Sequence, residues 1–323
     1  MHSRIERLYR RIAQAAALVL AFGPVALSAQ DYPVKPIRFV VGPGPDALAR
    51  AVSQKLTDAW GQQIVIDQRP GAGGSIAAEI VAKARGDGYT LLLATGSHTI
   101  NAALQKQSYD LVRDFRAVSL VGSVPFILVV HPSMPVHSVR ELIDLARSKP
   151  GALNYGSAGN GTPPHLAGEM LKTLAGIQLV HVPYKTAAQA MIDVLGGQPQ
   201  LMFAVAPVGL PQVKAGRVRG IAVSTAQRSR MAPDLPTVAE AGVPGFDVIG
   251  WNGVLAPAGT PPVIVNKLYG ELEKALKLPD VVQRLAATGF EPVGSSPAAF
   301  ADFVRRDIER WARVIRDAGI KMD

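Results

Sequence analysis

Three stretches carry the residues best placed to do chemistry: Gly42-Pro43-Gly44-Pro45-Asp46, Thr95-Gly96-Ser97-His98-Thr99, and Gly156-Ser157-Ala158-Gly159-Asn160-Gly161-Thr162. Glycines let a backbone turn its N–H groups toward a ligand, and small hydroxyls add donors that swing to suit it. In the third stretch Thr162-Pro163 reads as a helix N-cap with proline at the first helical position. Free N–H groups next to the positive end of a helix make an anion site. One such loop reads equally well as a capped turn, with Thr162 or Asp46 only capping. Three in one chain read as a ligand site, with Gly42, Pro43, Gly44, Ser97, His98, Ser157, Ala158, Gly159, Gly161, Thr162 and Tyr184 as its candidate residues. His98 and His165 read as polar donors or packed rings, and Lys185 reads as a cleft or surface residue.

Bond-making chemistry finds little support. A nucleophile elbow needs G-x-S-x-G, and Tyr155 stands where the first glycine belongs. Gly156 and Gly161 have phosphate-loop spacing, but Thr162 occupies the lysine position. Gly42-Pro43-Gly44 lacks the third glycine of a dinucleotide loop. The six histidines are widely spaced with no H-E-x-x-H, and the chain has no cysteine, so no thiolate metal site, cysteine nucleophile or disulfide is available. No cofactor, no metal and no catalytic residue is expected. Binding alone is energetically sufficient. Micromolar capture needs about 8 kcal/mol, and two to four hydrogen bonds to a charged group supply about 1.5–3 kcal/mol each.

The elements that position these loops follow from the apolar pattern. Ile37–Val41, Ile64–Ile66 and Thr90–Ala94 are short buried strands, separated by helical patterns over about Asp46–Trp60 and Ile76–Ala84. This βαβαβ rhythm predicts a parallel sheet covered by helices, with the loops at the carboxyl ends of strands, where open α/β sheets bind ligands. Phe126–Val130 breaks the rhythm. A second unit follows, with a helix over Val139–Lys149, strands at Leu153–Gly156, Leu179–Val182, Leu201–Ala204 and Gly220–Val223, and helices over Leu166–Leu174, Thr186–Leu195 and Pro207–Lys214. The last block is Trp251–Ala256 and two helices, about Val263–Leu276 and Pro297–Ala318. Periodicity does not place its partner.

The N-terminus reads as an export signal: Arg4, Arg7, Arg10 and Arg11, an apolar stretch from Ile12 to about Leu27, then Ala26-Leu27-Ser28-Ala29. Cleavage is expected near residues 28–29, by the general secretory route. The 323-residue chain carries 34 basic and 25 acidic residues, a net +9, of which the stretch beyond residue 30 keeps +6. Such a field attracts anions. The basic residues are scattered and aromatics make up 6%, which disfavours nucleic acid.

The motifs Tyr32-Pro33-Val34-Lys35-Pro36-Ile37-Arg38, Arg69-Pro70-Gly71-Ala72-Gly73-Gly74, Asp87-Gly88-Tyr89-Thr90-Leu91, Gly156–Gly161, His181-Val182-Pro183-Tyr184-Lys185, Pro236-Thr237-Val238-Ala239-Glu240 and Leu255-Ala256-Pro257-Ala258-Gly259-Thr260-Pro261 appear in one order along the chain. The ordered set resembles the tripartite tricarboxylate transporter receptor family, the Bug-type periplasmic binding proteins. The resemblance implies a type II periplasmic-binding-protein fold, two α/β lobes with a ligand cleft between them. A signal peptide over 1–29 is followed by lobe 1 over 30–130 plus 251–323 and lobe 2 over 131–250. It implies capture of a small carboxylate by lobe closure, through Ser97, Ser157, Gly161 and Thr162 with Tyr184 nearby, by a monomer in the periplasm that serves a two-component membrane permease. Other readings are a sensing protein that engages a sensor partner, and a serine hydrolase using Ser157 or Ser97. Two departures stand out: the 42–46 loop is shorter than the family's usual Pro-Phe-x-Pro-Gly-Gly-x-x-Asp, and Thr186 and Ala204-Val205 replace a glycine and a polar pair. A bulkier or aromatic acid is the expectation these changes carry.

Overall fold

Strand-forming runs of Ile, Val, Leu and Phe create the sheet that carries the candidate loops. The computed structural model describes residues 32–42 and 47–317. The export signal, Pro43, Gly44 and the Asp46 cap therefore lie outside the described residues. The chain divides into two units, Met1–Val34 and Lys35–Asp323. Among the described residues, every helix and strand belongs to the second unit.

In chain order the elements are β1 (Ile37–Val41), α1 (Ala47–Trp60), β2 (Ile64–Gln68), a 3-10 turn (Ala72–Gly74), α2 (Ser75–Ala82), β3 (Thr90–Thr95), α3 (Gly96–Leu104), β4 (Phe115–Val130), α4 (Val139–Ser148), β5 (Leu153–Ser157), α5 (Pro163–Ala175), β6 (Leu179–Pro183), α6 (Ala187–Leu195), β7 (Leu201–Val205), α7 (Ala206–Lys214), β8 (Arg219–Val223), β9 (Ile249–Pro257), α8 (Pro262–Lys277), α9 (Pro279–Ala287), β10 (Glu291–Pro292) and α10 (Pro297–Asp317). Local chemistry sets several boundaries. Ser138 accepts the Glu141 N–H at 3.2 Å to start α4, while Glu141 reaches back to the His137 N–H. In α1, Leu48, Ala49, Val52 and Leu56 recur at helical spacing and are buried.

The strand order is β2-β1-β3-β9-β4-β7-β5-β6, with β8 and β10 also paired to β4. The β2-β1-β3 and β6-β5-β7 groups are parallel, as the βαβ rhythm predicts. The all-parallel expectation fails at the centre, where β9 runs antiparallel to both β3 and β4, and β4 runs antiparallel to β7 and β8. The cause is β4 itself. It spans 16 residues, pairing with β9 through Pro125, with β7 from Phe126 and with β8 from Ile127 onward. Periodicity shows Phe126–Val130 because that part is buried throughout, whereas Phe115–Pro125 mixes buried and exposed residues. The helix α9 also escapes the pattern, because Pro279 follows α8 so closely that the pair reads as one helix and a tail.

Three core clusters stand out among the described residues. Val40, Leu92, Trp251, Phe300 and Val304 belong to one, Phe126, Leu128, Tyr155, Leu166, Phe246 and Trp311 to another, and Ile127, Val129, Met191, Val194 and Met202 to a third. The helix α10 serves the first two, with Phe300 and Val304 in the first and Trp311 in the second.

Candidate functional site

The loop after β5 is held from inside. Its Gly159 N–H donates to Ser157 Oγ at 3.0 Å, its Gly161 N–H donates to His165 Nδ1 at 3.3 Å, and the Thr162 hydroxyl donates to the Gly159 carbonyl at 2.6 Å. Thr162 occupies the N-cap position of α5, but its side chain does not cap. Pro163 and Pro164 fill the first two helical positions and have no N–H, so only the His165 N–H remains for such a cap, and the Thr162 hydroxyl is turned to the Gly159 carbonyl instead. The N–H groups of Ala158 and Thr162 have no acceptor among the described residues.

Beneath this loop lies a part-buried polar chain. Ser157 Oγ is 2.7 Å from His181 Nε2. His181 stacks on His165 with centroids 4.1 Å apart and on Tyr155 at 4.9 Å. The Tyr155 hydroxyl donates to Glu169 at 2.6 Å, and Glu169 pairs with Lys172 at 2.8 Å. Burial first, then the neighbouring His165 and Lys172, push His181 down to about 3, so the ring is neutral. Burial and the Glu169 carboxylate push the Tyr155 phenol upward. The Ser157–His181 distance suits a nucleophile and its base. Ser157, however, has 0% exposure, and its hydroxyl is occupied by Gly159 and His181.

Tyr184 joins the loop through its backbone, its N–H donating to the Ser157 carbonyl at 3.0 Å. Its ring borders Gly156, and its phenol is pushed up to about 12 by burial and by a hydrogen bond to Asp193. Lys185 is exposed.

On the other half of the sheet, α3 begins directly after β3. Ser97 lies in its first turn, where helix N–H groups lack intrahelical partners. His98 turns back so that Nδ1 accepts the Thr95 N–H at 3.0 Å, which places the ring proton on Nε2, the edge facing the backbone of Gly74. Burial pushes His98 down to about 4, against the pull of the Thr95 and Gly74 backbone. The ring has 0% exposure. Its hydrogen bonds are to Thr95, while Nε2 packs against Gly74 without a hydrogen-bond partner among the described residues. Gly42 joins the same region: a Cβ there would lie 3.1 Å from Gly74 Cα. In the 71–74 turn Ala72 has φ 46°, a left-handed value for a non-glycine residue, and such strain gathers at functional loops.

The two helix starts meet. A Cβ on Gly96 would lie 3.1 Å from Pro163 Cγ and 3.4 Å from Trp251 Nε1. Neither α3 nor α5 has an acidic residue in its first turn, so two positive helix ends face each other without a counter-charge of their own. Behind α3 the buried Asp307 accepts from Thr99 Oγ1 at 2.6 Å and Trp251 Nε1 at 3.0 Å and pairs with Arg310 at 3.1 Å.

Sequence reasoning missed Asn101, His181, Trp251 and Asp307 as parts of the site. Two left a signal. Asn101 follows Ser97 by four residues on α3, and Asp307 interrupts the apolar stripe Phe300, Val304, Trp311 of α10. Among the described residues no group of three or more His, Asp or Glu side chains is placed to hold a metal ion, and no helix is long and apolar enough to cross a membrane.

Residues 48–320 match the model of the tripartite tricarboxylate transporter family receptor. BugT of Bordetella pertussis is 35% identical over 303 residues, covering 92% of this chain and 93% of its own. A Pseudomonas sp. (strain P51) UPF0065 protein from the tcbD–tcbE intergenic region is 37% identical over 313 residues, covering 95% of this chain and 93% of its own. Among solved structures, R. palustris Rpa4515 with adipate is 38% identical with TM-score 0.85, covering 90% of this chain and 99% of that one. MatC of Rhodopseudomonas palustris with bound malate is 31% identical with TM-score 0.81, covering 88% and 100%.

Proposed function

Because the chain belongs to the tripartite tricarboxylate transporter receptor family and is a solute-binding protein of that type, we propose that its solute is a small organic carboxylate held beside the abutting starts of α3 and α5, within reach of both. One observation carries this reading: two positive helix ends abut at Gly96 and Pro163 with no acidic residue in either first turn. An anion placed there relieves the repulsion and gains from both dipoles. The carboxylates bound by Rpa4515 and MatC support the same class of solute.

Within this reading the α3 side offers the first-turn N–H groups and the Ser97 hydroxyl, and the α5 side offers the N–H groups of Ala158 and Thr162. Ser157, Gly159, Gly161 and His98 keep the loops in shape, Tyr184 borders the site, and Gly42 leads into it. The hand-off along β4 after Pro125 supports two lobes, 30–130 with 251–323 and 131–250. Closure of these lobes excludes water and strengthens each polar contact. The same reading makes the protein a periplasmic monomer that delivers its solute to a two-component permease and turns nothing over.

Native mass spectrometry of protein purified without refolding tests the proposal. A trapped small acid, displaced by adipate, malate or benzoate, is the expected result. A trapped neutral or cationic molecule, or hydrolysis of a carboxylic ester, would sink it.

A further inference from the structure

We propose that Asn101 is the positioning residue that sets the closed register of the two binding loops and thereby the rate at which a bound solute leaves. The inference rests on the reading that the solute is held beside those loops. Asn101 is 3% exposed on α3. Its carboxamide lies between two glycines from opposite halves of the sheet. A Cβ on Gly73 would lie 2.5 Å from Asn101 Nδ2, and a Cβ on Gly161 would lie 2.5 Å from Asn101 Oδ1. Both glycines have positive φ, 59° and 70°, so glycine is needed there for backbone shape as well as for space.

The amide is polarised across the gap. Nδ2 donates to the carbonyls of Ala72 at 3.4 Å and Gly73 at 3.3 Å, bracing the strained turn. Oδ1 faces Gly161, whose N–H already belongs to His165. The contact across the gap is therefore close packing of Oδ1 against the glycine backbone, with Leu104 Cδ1 beside it at 3.5 Å from the same Cβ position. A leucine of similar size has no donor for Ala72 and Gly73. An aspartate would repel those carbonyls and set a negative charge where the solute's own charge belongs. Asparagine meets both demands, and its length fixes how far apart the loops stand. A contact made only when the loops are together stabilises the closed state alone, so its loss speeds release and leaves capture nearly unchanged.

A double-mutant cycle over Asn101→Ala and Gly161→Ala decides the matter. The chain has no cysteine, so Lys149→Cys and Lys274→Cys, both at exposed positions, accept a dye pair for single-molecule energy transfer. Gly161→Ala alone should empty the high-transfer state, and adding Asn101→Ala should restore much of it. With adipate as probe, Asn101→Ala should raise the dissociation rate about tenfold and change the association rate less than about twofold. The assignment is overturned if Gly161→Ala opens the lobes equally with and without Asn101→Ala. It is also overturned if the parent protein shows no high-transfer state. Failure of adipate and malate to bind would remove the carboxylate reading, while the energy-transfer cycle without solute would still decide Asn101. Circular dichroism monitors folding, and Asn101→Ser replaces Asn101→Ala in the cycle if the latter unfolds.

Discussion

Gly96 and Pro163, the first residues of two helices from opposite halves of the sheet, stand face to face, with 3.1 Å between a Cβ on Gly96 and Pro163 Cγ. That separation leaves room for a hydrogen on Gly96 and for little more. It brings two helix starts close enough for one small anion to interact with both.

Filling that gap should weaken binding in proportion to side-chain size. Gly96→Ala asks Pro163 and Trp251 to yield by a few tenths of an ångström, and Gly96→Val cannot be accommodated without separating the helices. Calorimetry with adipate or the native solute should show a loss of several-fold for Gly96→Ala and roughly tenfold or more for Gly96→Val. Unchanged affinity for Gly96→Val would place the solute elsewhere.

Thr162 tests the shape of the α5 loop. Its hydroxyl holds the Gly159 carbonyl at 2.6 Å, so Thr162→Ala should lower stability by about 1 kcal/mol in urea titration. Affinity should fall several-fold with it, and Thr162→Ser should keep both. Full affinity in Thr162→Ala would mean that the loop holds its form without this bond.

Asp307→Asn should be the most damaging conservative change. The carboxylate is buried, accepts from Thr99 and Trp251, and pairs with Arg310. Removing its charge weakens the buried bonds from Thr99 and Trp251, while Arg310, which is partly exposed, keeps Asp247, so the cost should be about 2 kcal/mol. Trp251 emission should change with the weakened bond, and denaturation monitored at that tryptophan would read both effects. A stability within about 0.5 kcal/mol of the parent would contradict the assigned role of the carboxylate.

His98 gives the fold a pH dependence of known sign. The folded protein holds the ring neutral down to about 4, whereas the unfolded chain takes up the proton near 6.5. Protons therefore favour unfolding. The contribution is complete above about 6.5 and is lost as pH falls toward 4, roughly 3 kcal/mol in all. His98→Asn, which keeps an acceptor for the Thr95 N–H, should flatten the stability curve over that window. Parallel curves for parent and variant would refute the assignment.

The loops and the strands that lead into them were legible because local chemistry marks them. Proline and glycine after an apolar run end a strand, and Thr162-Pro163 announces a helix whichever way the chain folds. The engagement of the loop groups was not legible. That Gly161 gives its N–H to His165, or that Thr162 turns to Gly159 rather than capping α5, depends on side chains meeting after the helix has formed. The antiparallel β4–β9 pair was hidden for a related reason. Periodicity reports which faces of a strand are buried and carries no direction.

The sequence by itself determined the export signal expectation, the α/β class, the order of motifs that marks the family, and the two described loops at the ends of β3 and β5. These rest on composition and on contacts within a few residues. Only the tertiary structure decided that Gly96 meets Pro163, that Asn101 stands between Gly73 and Gly161, and that Asp307 underlies the site from the last helix. Those pairs are separated by tens to hundreds of positions along the chain. Their proximity arises from the path of β4, β9 and α10 between two cores, and no local pattern of residues records that path.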